Sequence, residues 1–255
     1  MKPYLLALVL VLSACQSQPE EPAPVPLTVE VDGDLGSPRL STVGGDLPDG
    51  QTTLTDVEGL GRELTAESPI LYTVSSFNDD GELLAGGEAP ILASVGDAPI
   101  EAEGMREGSR VLTINPQEGG AEIIVVDILH TSVQGQARGL SGPLTVTVGD
   151  DGAPLVTGTV EISRLSTQVV VRGDGPQVGE DDDVYVQYSV YRDGELVDST
   201  WGQGPILLDL NDTFEGVRTS VTESFIGSRL LIQVPAAQAQ GTADLVVLID
   251  LLAIG

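Results

Sequence analysis

The residue types that most often carry chemistry are scarce in this chain. Its 255 residues include one histidine and one cysteine. A Ser-His-Asp hydrolase would have to use His130, yet there is no G-x-S-x-G motif and His130 closes an apolar run, so it reads as a solvated histidine at a strand end. GDGPQVG, from Gly173, lacks the G-x-G-x-x-G spacing of a phosphate loop and precedes a strand pattern, which makes it a turn. The acidic runs DGD at Asp32 and EDDD at Glu180 lack the ligand spacing of a calcium loop and read as acidic turns, so no metal and no cofactor is expected. One polar group remains. RDGELVDSTWGQGPILLDLND, from Arg192, holds an aspartate, a serine, a threonine and a tryptophan at its centre, Asp198 to Trp201. A closely similar stretch about a hundred residues earlier, NDDGELLAGGEAPILASVGD from Asn78, has none of them there. Taken alone, Asp198 before Ser199 also reads as a turn-capping aspartate.

The elements that must hold these residues are written twice. LTVEVDGDLGSPRL (from Leu27) pairs with LTVTVGDDGAPLVT (from Leu144), and VEGLGRELTAESPILYTV (Val57) lies without a gap on VRGDGPQVGEDDDVYVQY (Val171). DGEL at Asp80 and APIL at Ala89 return as DGEL at Asp193 and GPIL at Gly204. EGSRVLTINP (Glu107) matches IGSRLLIQVP (Ile226), and IIVVDIL (Ile123) matches LVVLIDLL (Leu245). Chance similarity between Gly- and Val-rich segments would not keep this order over a domain's length. The copies span 27–135 and 144–255, joined by a turn-rich linker at 136–143. Within each copy the apolar period is mostly two. DVYVQYSVY from Asp183 alternates, Asp193-Gly194 supplies a turn, and Ser228–Val234 and Ala243–Ala253 are β-branched and leucine-rich strands. In the second copy only Phe214, Val217, Val221 and Phe225 recur at helical spacing, closing at Gly227. The fold class is therefore α+β and β-dominated: two tandem domains, each a twisted antiparallel sheet wrapped around one short helix. The first copy's counterpart of that helix, DAPIEAEGMREG, is about a turn shorter and carries Pro99, which argues against a full helix.

Charge and the N-terminus set the surroundings. Asp and Glu number 39 against 11 Lys and Arg, a formal charge of −28. Such a surface repels nucleic acid and anionic lipid, so no nucleic-acid partner is expected. In MKPYLLALVLVLSAC, Lys2 precedes an apolar run from Leu5 to Leu12 that is too short to span a bilayer and suits the core of an export signal. It ends in Leu12-Ser13-Ala14-Cys15, which resembles the lipobox of bacterial lipoproteins, where the cysteine is cleaved before and acylated. Residues 1–14 are expected to be a lipoprotein signal peptide and Cys15 the lipidation site, its two-anchor modification holding the membrane stably. Residues 15–26, rich in proline and glutamate, are expected to be an extended tether. The expected location is extracytoplasmic, lipid-anchored to the bacterial cell membrane. No cysteine follows Cys15, so the cores must stand without disulfides.

Taken in order, GDGP at Gly173, the V-Y-V-Q-Y strand ending at Tyr188, DGELVDST at Asp193, the GSR strand into Pro235 and the closing apolar strand with Asp250 resemble the FKBP-type peptidyl-prolyl cis/trans isomerases. The resemblance covers Gln168 to Leu252. It implies a twisted antiparallel sheet around one helix with an apolar pocket between them, acting on proline-containing unfolded polypeptides. Such an activity needs no nucleophile, metal or proton relay. The barrier to X–Pro rotation is amide resonance, and unaided isomerisation takes tens to hundreds of seconds. Carried across residue by residue, the resemblance implies catalytic roles for Tyr188, as a pocket-lining tyrosine, and for Asp198, beside the substrate carbonyl, a role it favours over turn capping. It implies substrate-binding roles for Val197, Ile206, Val217, Gln240 and Val247, each of which departs from the family pattern. Val197, Ile206 and Val247 replace aromatic residues, Val217 stands where a tryptophan floors the pocket, and Gln240 lies near the place of a hydrogen-bonding tyrosine. The loop before the last strand is nearly gone between Gly241 and Ala243, and Trp201 does not match the family's helical tryptophan. In the first copy Val74 and Ala85 stand where Tyr188 and Asp198 do, so that copy is expected to be a degenerate, non-catalytic FKBP-like domain. Two functions follow as expectations: an isomerase assisting the folding of extracytoplasmic proteins, with its activity in the C-terminal domain, or a non-catalytic FKBP-like binding or chaperone module on the cell surface. A plain β-sandwich with Ig-like repeats does not account for the helix.

Overall fold

The strand β13 (Asp183–Arg192) shows how this sequence builds sheet. Side chains of a strand alternate between faces. Val184, Val186, Tyr188 and Val190 join one apolar cluster, while Tyr185 and Tyr191 join two others on the opposite face. A strand covered on both sides must be apolar at most positions, as this one is. The computed structural model describes residues 27–87, 89–149, 153–241 and 243–255, so the expected signal peptide, Cys15 and the tether lie outside the described residues.

The first domain contains β1 (Thr28–Asp32), β2 (Arg39–Gly44), β3 (Thr52–Val57), β4 (Pro69–Asn78), β5 (Leu83–Ala85), β6 (Ile91–Ser94), β7 (Arg110–Gln117) and β8 (Gly120–Ile128). After β9 (Gln136–Ala137), the second domain adds β10 (Thr145–Val148), β11 (Pro154–Thr157), β12 (Ser166–Arg172), β13, β14 (Glu195–Ser199), β15 (Ile206–Asp209), α1 (Glu215–Val221), β16 (Arg229–Val234) and β17 (Leu245–Ile254). The two main sheets follow one path. The first runs β3-β7-β8-β4-β5 with β6 also on β4. The second runs β14-β13-β17-β16-β12-β9 with β15 also on β13. Every pairing in them is antiparallel.

Each sheet has an inner and an outer face. On the inner face of the second sheet, Val184, Val186, Leu230, Ile232, Val247 and Ile249 pack with Val217 and Val221 of α1. On the outer face a two-stranded ribbon lies across the sheet: β10–β11 places Leu144 and Val156 on Tyr191, Leu231 and Leu248. The ribbon β1–β2 covers Phe77, Leu112 and Val125 of the first sheet in the same way. The repeating unit is therefore ribbon plus sheet, and the chain is β-dominated, with two tandem copies of that unit.

The helices depart from the periodic pattern in both copies. α1 covers seven residues, fewer than the span from Phe214 to Phe225. Phe214 is its N-cap, Glu223 turns left-handed at φ 65°, and Phe225 sits beyond it in a bridge to Gln177, with the Arg172 guanidinium 5.3 Å from its ring centre. In the first domain the described residues form no α-helix. A 3-10 turn at Val95–Asp97 and the irregular chain after it bring Val95, Ala98, Ile100, Ala102 and Met105 onto the inner face instead.

A cross-strand ion pair lies at the same place on both outer faces. Arg110 Nε and Nη2 donate to Asp127 Oδ1 and Oδ2 at 2.6 and 2.9 Å, and Arg229 donates likewise to Asp250 at 2.6 and 2.8 Å. Buried pairs cost desolvation and need complete hydrogen bonding. The first is closed by the ribbon loop: Arg110 donates to the carbonyls of Gly33 and Asp34, and Gly36 N donates to Asp127 Oδ2 at 2.8 Å. The second has the Trp201 ring over it instead, its centre 5.8 Å from the Arg229 guanidinium carbon. Burial raises the Asp250 pKa, and Arg229 opposes the rise.

The domains meet through the outer faces that the ribbons leave open. Leu71 and Leu129 pack on Tyr185, Leu252 and Ala253, with Leu35 and Leu92 at the margin. Tyr185 Oη donates to Pro90 O and Gln187 Nε2 to Thr131 O, each at 2.8 Å.

Candidate active site

Two strands and the turn after the second build the site. Tyr188 lies on β13 with its ring packed against the inner core, and its Oη donates to Asp198 Oδ2 at 2.9 Å. Asp198 lies on β14 opposite Val190, beside a bulge in the β13–β14 pairing. The residues after Asp198 fasten this geometry. Tyr188 N donates to Thr200 Oγ1 at 2.9 Å, Thr200 N returns to Tyr188 O at 3.0 Å, and Ser199 Oγ donates to the same carbonyl at 3.2 Å. Trp201 N donates to Ser199 Oγ at 3.2 Å. Of the polar run, Ser199 and Thr200 hold the Tyr188 backbone and Trp201 N ties back to Ser199, while Asp198 bonds to the Tyr188 phenol.

The other candidates divide into floor, rim and outlier. Val217 on α1 and Val247 on β17 are buried in the cluster against which Tyr188 packs. Ile206 pairs with Val186, an inner-face residue, and is 37% exposed. Val197, at the β14 bulge, is 49% exposed. Gln240 is exposed in the loop before β17, in a left-handed conformation at φ 50°. The structure brings Tyr188 and Asp198 into contact, sets Val217 and Val247 in the core beneath them, and leaves Val197, Ile206 and Gln240 open.

Burial first, and then the hydrogen bond to Asp198 and its charge, push the Tyr188 phenol up from 10.0 to about 12. It therefore stays protonated at neutral pH and keeps donating to Asp198. The pair offers a fixed polar edge above an apolar floor. Among the described residues, no group of three or more His, Cys, Asp or Glu side chains is placed to hold a metal ion.

The first domain has Val74 and Ala85 at these two positions, and it builds its polar chemistry elsewhere. Glu107 is fully buried. Its Oε1 accepts from Arg62 Nε at 3.2 Å, from Arg62 Nη2 at 2.9 Å, and from Thr131 Oγ1. His130 lies beside this cluster. It is half-buried rather than solvated, its Nδ1 is buried, and burial lowers its pKa against the opposing charge of Glu107. At the matching positions the second copy has Pro176, Ile226, Ile254 and Ala253. The pairing of EGSR with IGSR carried this signal in the sequence, as a lone glutamate exchanged for isoleucine.

No family model matches the chain, and no curated protein matches it. Solved structures with similarity to it include a peptidyl-prolyl cis-trans isomerase from Pseudomonas syringae pv. tomato, at 20% identity and TM-score 0.34, over 38% of this chain and 80% of that one. The three FKBP domains of wheat FKBP73 are similar at 15% identity and TM-score 0.34, over 81% and 95% of the respective chains. FkpA from Escherichia coli is similar at 21% identity and TM-score 0.34, over 43% and 51%.

Proposed function

We propose that this protein is an FKBP-type peptidyl-prolyl cis/trans isomerase that assists extracytoplasmic folding, anchored to the cell membrane by lipid on Cys15 and active through its second domain. One observation carries the reading: the Tyr188–Asp198 hydrogen bond sits on the inner face, above the apolar core that holds Val217 and Val247. A proline ring resting on that floor leaves water, and the twisted amide, less dipolar than the planar one, gains most from the change. Valine and isoleucine in place of aromatic rings offer less surface to the ring, so the activity is expected to be weak. The exposed apolar rim of Leu196, Val197, Ile206 and Leu207 favours a second reading, a binding module that holds unfolded segments without turning them over.

A protease-coupled isomerisation assay on proline peptides, with each domain made separately, separates the two. The second domain should accelerate isomerisation and the first should not. Tyr188→Phe and Asp198→Ala should each slow the second domain about tenfold, as expected for about 1.4 kcal/mol of lost transition-state stabilisation. A first domain as active as the second would overturn the residue assignment, and inactivity of both would leave the binding module.

A further inference from the structure

The outer edge of β12 is occupied by the chain's own linker. Gln136 and Ala137 of β9 pair antiparallel with Arg172 and Val171, and Arg138 N donates to Val170 O at 2.8 Å. Farther along, Ser141 N and Oγ donate to Gln168 Oε1 at 2.8 and 3.0 Å, and Gln168 Nε2 donates back to Ser141 O at 3.0 Å. Leu140 joins Val170 in the cluster beneath the ribbon. An extended segment is thus held by backbone bonds, one apolar contact and one polar grip.

β3 is the same strand in the first domain. Leu54 pairs with Leu112 as Gln168 pairs with Leu231, and both strands carry a bulge just before their pairing with an arginine, Val57 with Arg110 and Val171 with Arg229. Yet β3 ends its sheet with no strand on its outer side among the described residues, and all six of its residues are exposed. The gripping positions have also changed. Leu54, 39% exposed, replaces Gln168, and Asp56 replaces Val170, with exposed Glu58 two residues on.

We propose that the free edge of β3 docks an extended, basic segment of a partner polypeptide as an added antiparallel strand, with a cationic side chain against Asp56 and Glu58 and an apolar one over Leu54. Strand addition at a bare edge draws affinity from the backbone ladder and selectivity from alternate side chains. Charge chooses the occupant. Residues 19–26 of this chain precede Leu27 as 136–143 precede Leu144, but they bring Glu20 and Glu21 to an edge that is already acidic, and Pro19, Pro22, Pro24 and Pro26, which lack a backbone donor. A net charge of −28 draws cationic segments from solution as well.

The test is fluorescence anisotropy on the full chain with a labelled peptide of strand length, about six residues of alternating lysine and valine. Saturable binding is expected, lost when alternate amides of the peptide are N-methylated and weakened about threefold to tenfold when its lysines become glutamates. The variant Asp56→Asn with Glu58→Gln, at exposed positions on and just after β3 and with an unchanged melting temperature, should show a similar loss. Equal binding by the N-methylated or the acidic peptide would overturn the proposal, as would the absence of saturable binding. Much tighter binding after removal of residues 16–26 would assign the edge to the tether and overturn the separate partner.

Discussion

The Tyr188 phenol reports on its own surroundings. Its pKa is raised from 10.0 to about 12, so the folded state favours the protonated form. The stability that this group contributes is therefore fully present below pH 10 and is lost as pH rises towards 12. Alkaline titration of tyrosinate absorbance, taken as the difference between wild type and Tyr188→Phe, should show this late midpoint. Asp198→Ala removes the hydrogen bond and the charge but leaves burial, the larger cause, so the midpoint should return only part of the way. A full return would mean that Asp198 rather than burial holds the phenol. His130 shows what residue-scale reading misses. It looked solvated because it follows a strand, but Gly61 and Gly108 leave room for the ring: a Cβ on either would stand 2.9 Å from an imidazole atom. Space made by absent side chains is invisible until the chain is folded.

At the scale of elements, α1 is the case to argue. A helix of seven residues has too few hydrogen bonds to stand alone, so packing must hold it. Val217 and Val221 supply that packing, and Gly216 sets how closely the helix lies on the sheet, since a Cβ there would be 2.5 Å from Val234 Cγ1 and 3.2 Å from Leu165 Cδ1. Gly216→Ala gains about 1 kcal/mol of helix propensity but meets a stiff, buried valine, a clash of about 1–3 kcal/mol. We expect a net loss of stability in urea unfolding, relieved when Val234→Ala is added. A gain from Gly216→Ala alone would show that the helix does not rest so closely on β16. Val217→Ala should cost about 1–3 kcal/mol by the same measurement. The strands were legible because residues covered on both faces leave an apolar pattern that solvent contact would break. The helix was legible in place but not in length. Phe214 and Phe225 keep helical spacing while serving as a cap and a bridge residue, and nothing local marks Glu223 as left-handed. The Tyr188–Asp198 pair was legible through the family resemblance alone. Trp201 was not, because its partner Arg229 lies on a strand beyond the helix.

At the scale of the molecule, the anchor proposed at Cys15 is tested by growth with labelled palmitate. The wild-type chain should take up label, and Cys15→Ser should lose it and be released from the membrane. Labelling of the serine variant would exclude this site. The contact between domains has a further consequence. Leu71 and Tyr185 occupy one position of the repeat, and Leu129 and Leu252 another, so each domain offers the other a version of the same surface. Only chain connectivity then decides which first domain meets which second domain. A short linker gives an effective concentration of about a millimolar, so the closed monomer prevails in dilute solution. When chains refold at concentrations near that value, two of them should exchange halves into a dimer that dissociates slowly on dilution. Sedimentation after concentrated refolding should detect it. Tyr185→Ala, which removes the ring and the bond to Pro90 O, should abolish the exchanged dimer while each half keeps its own fold.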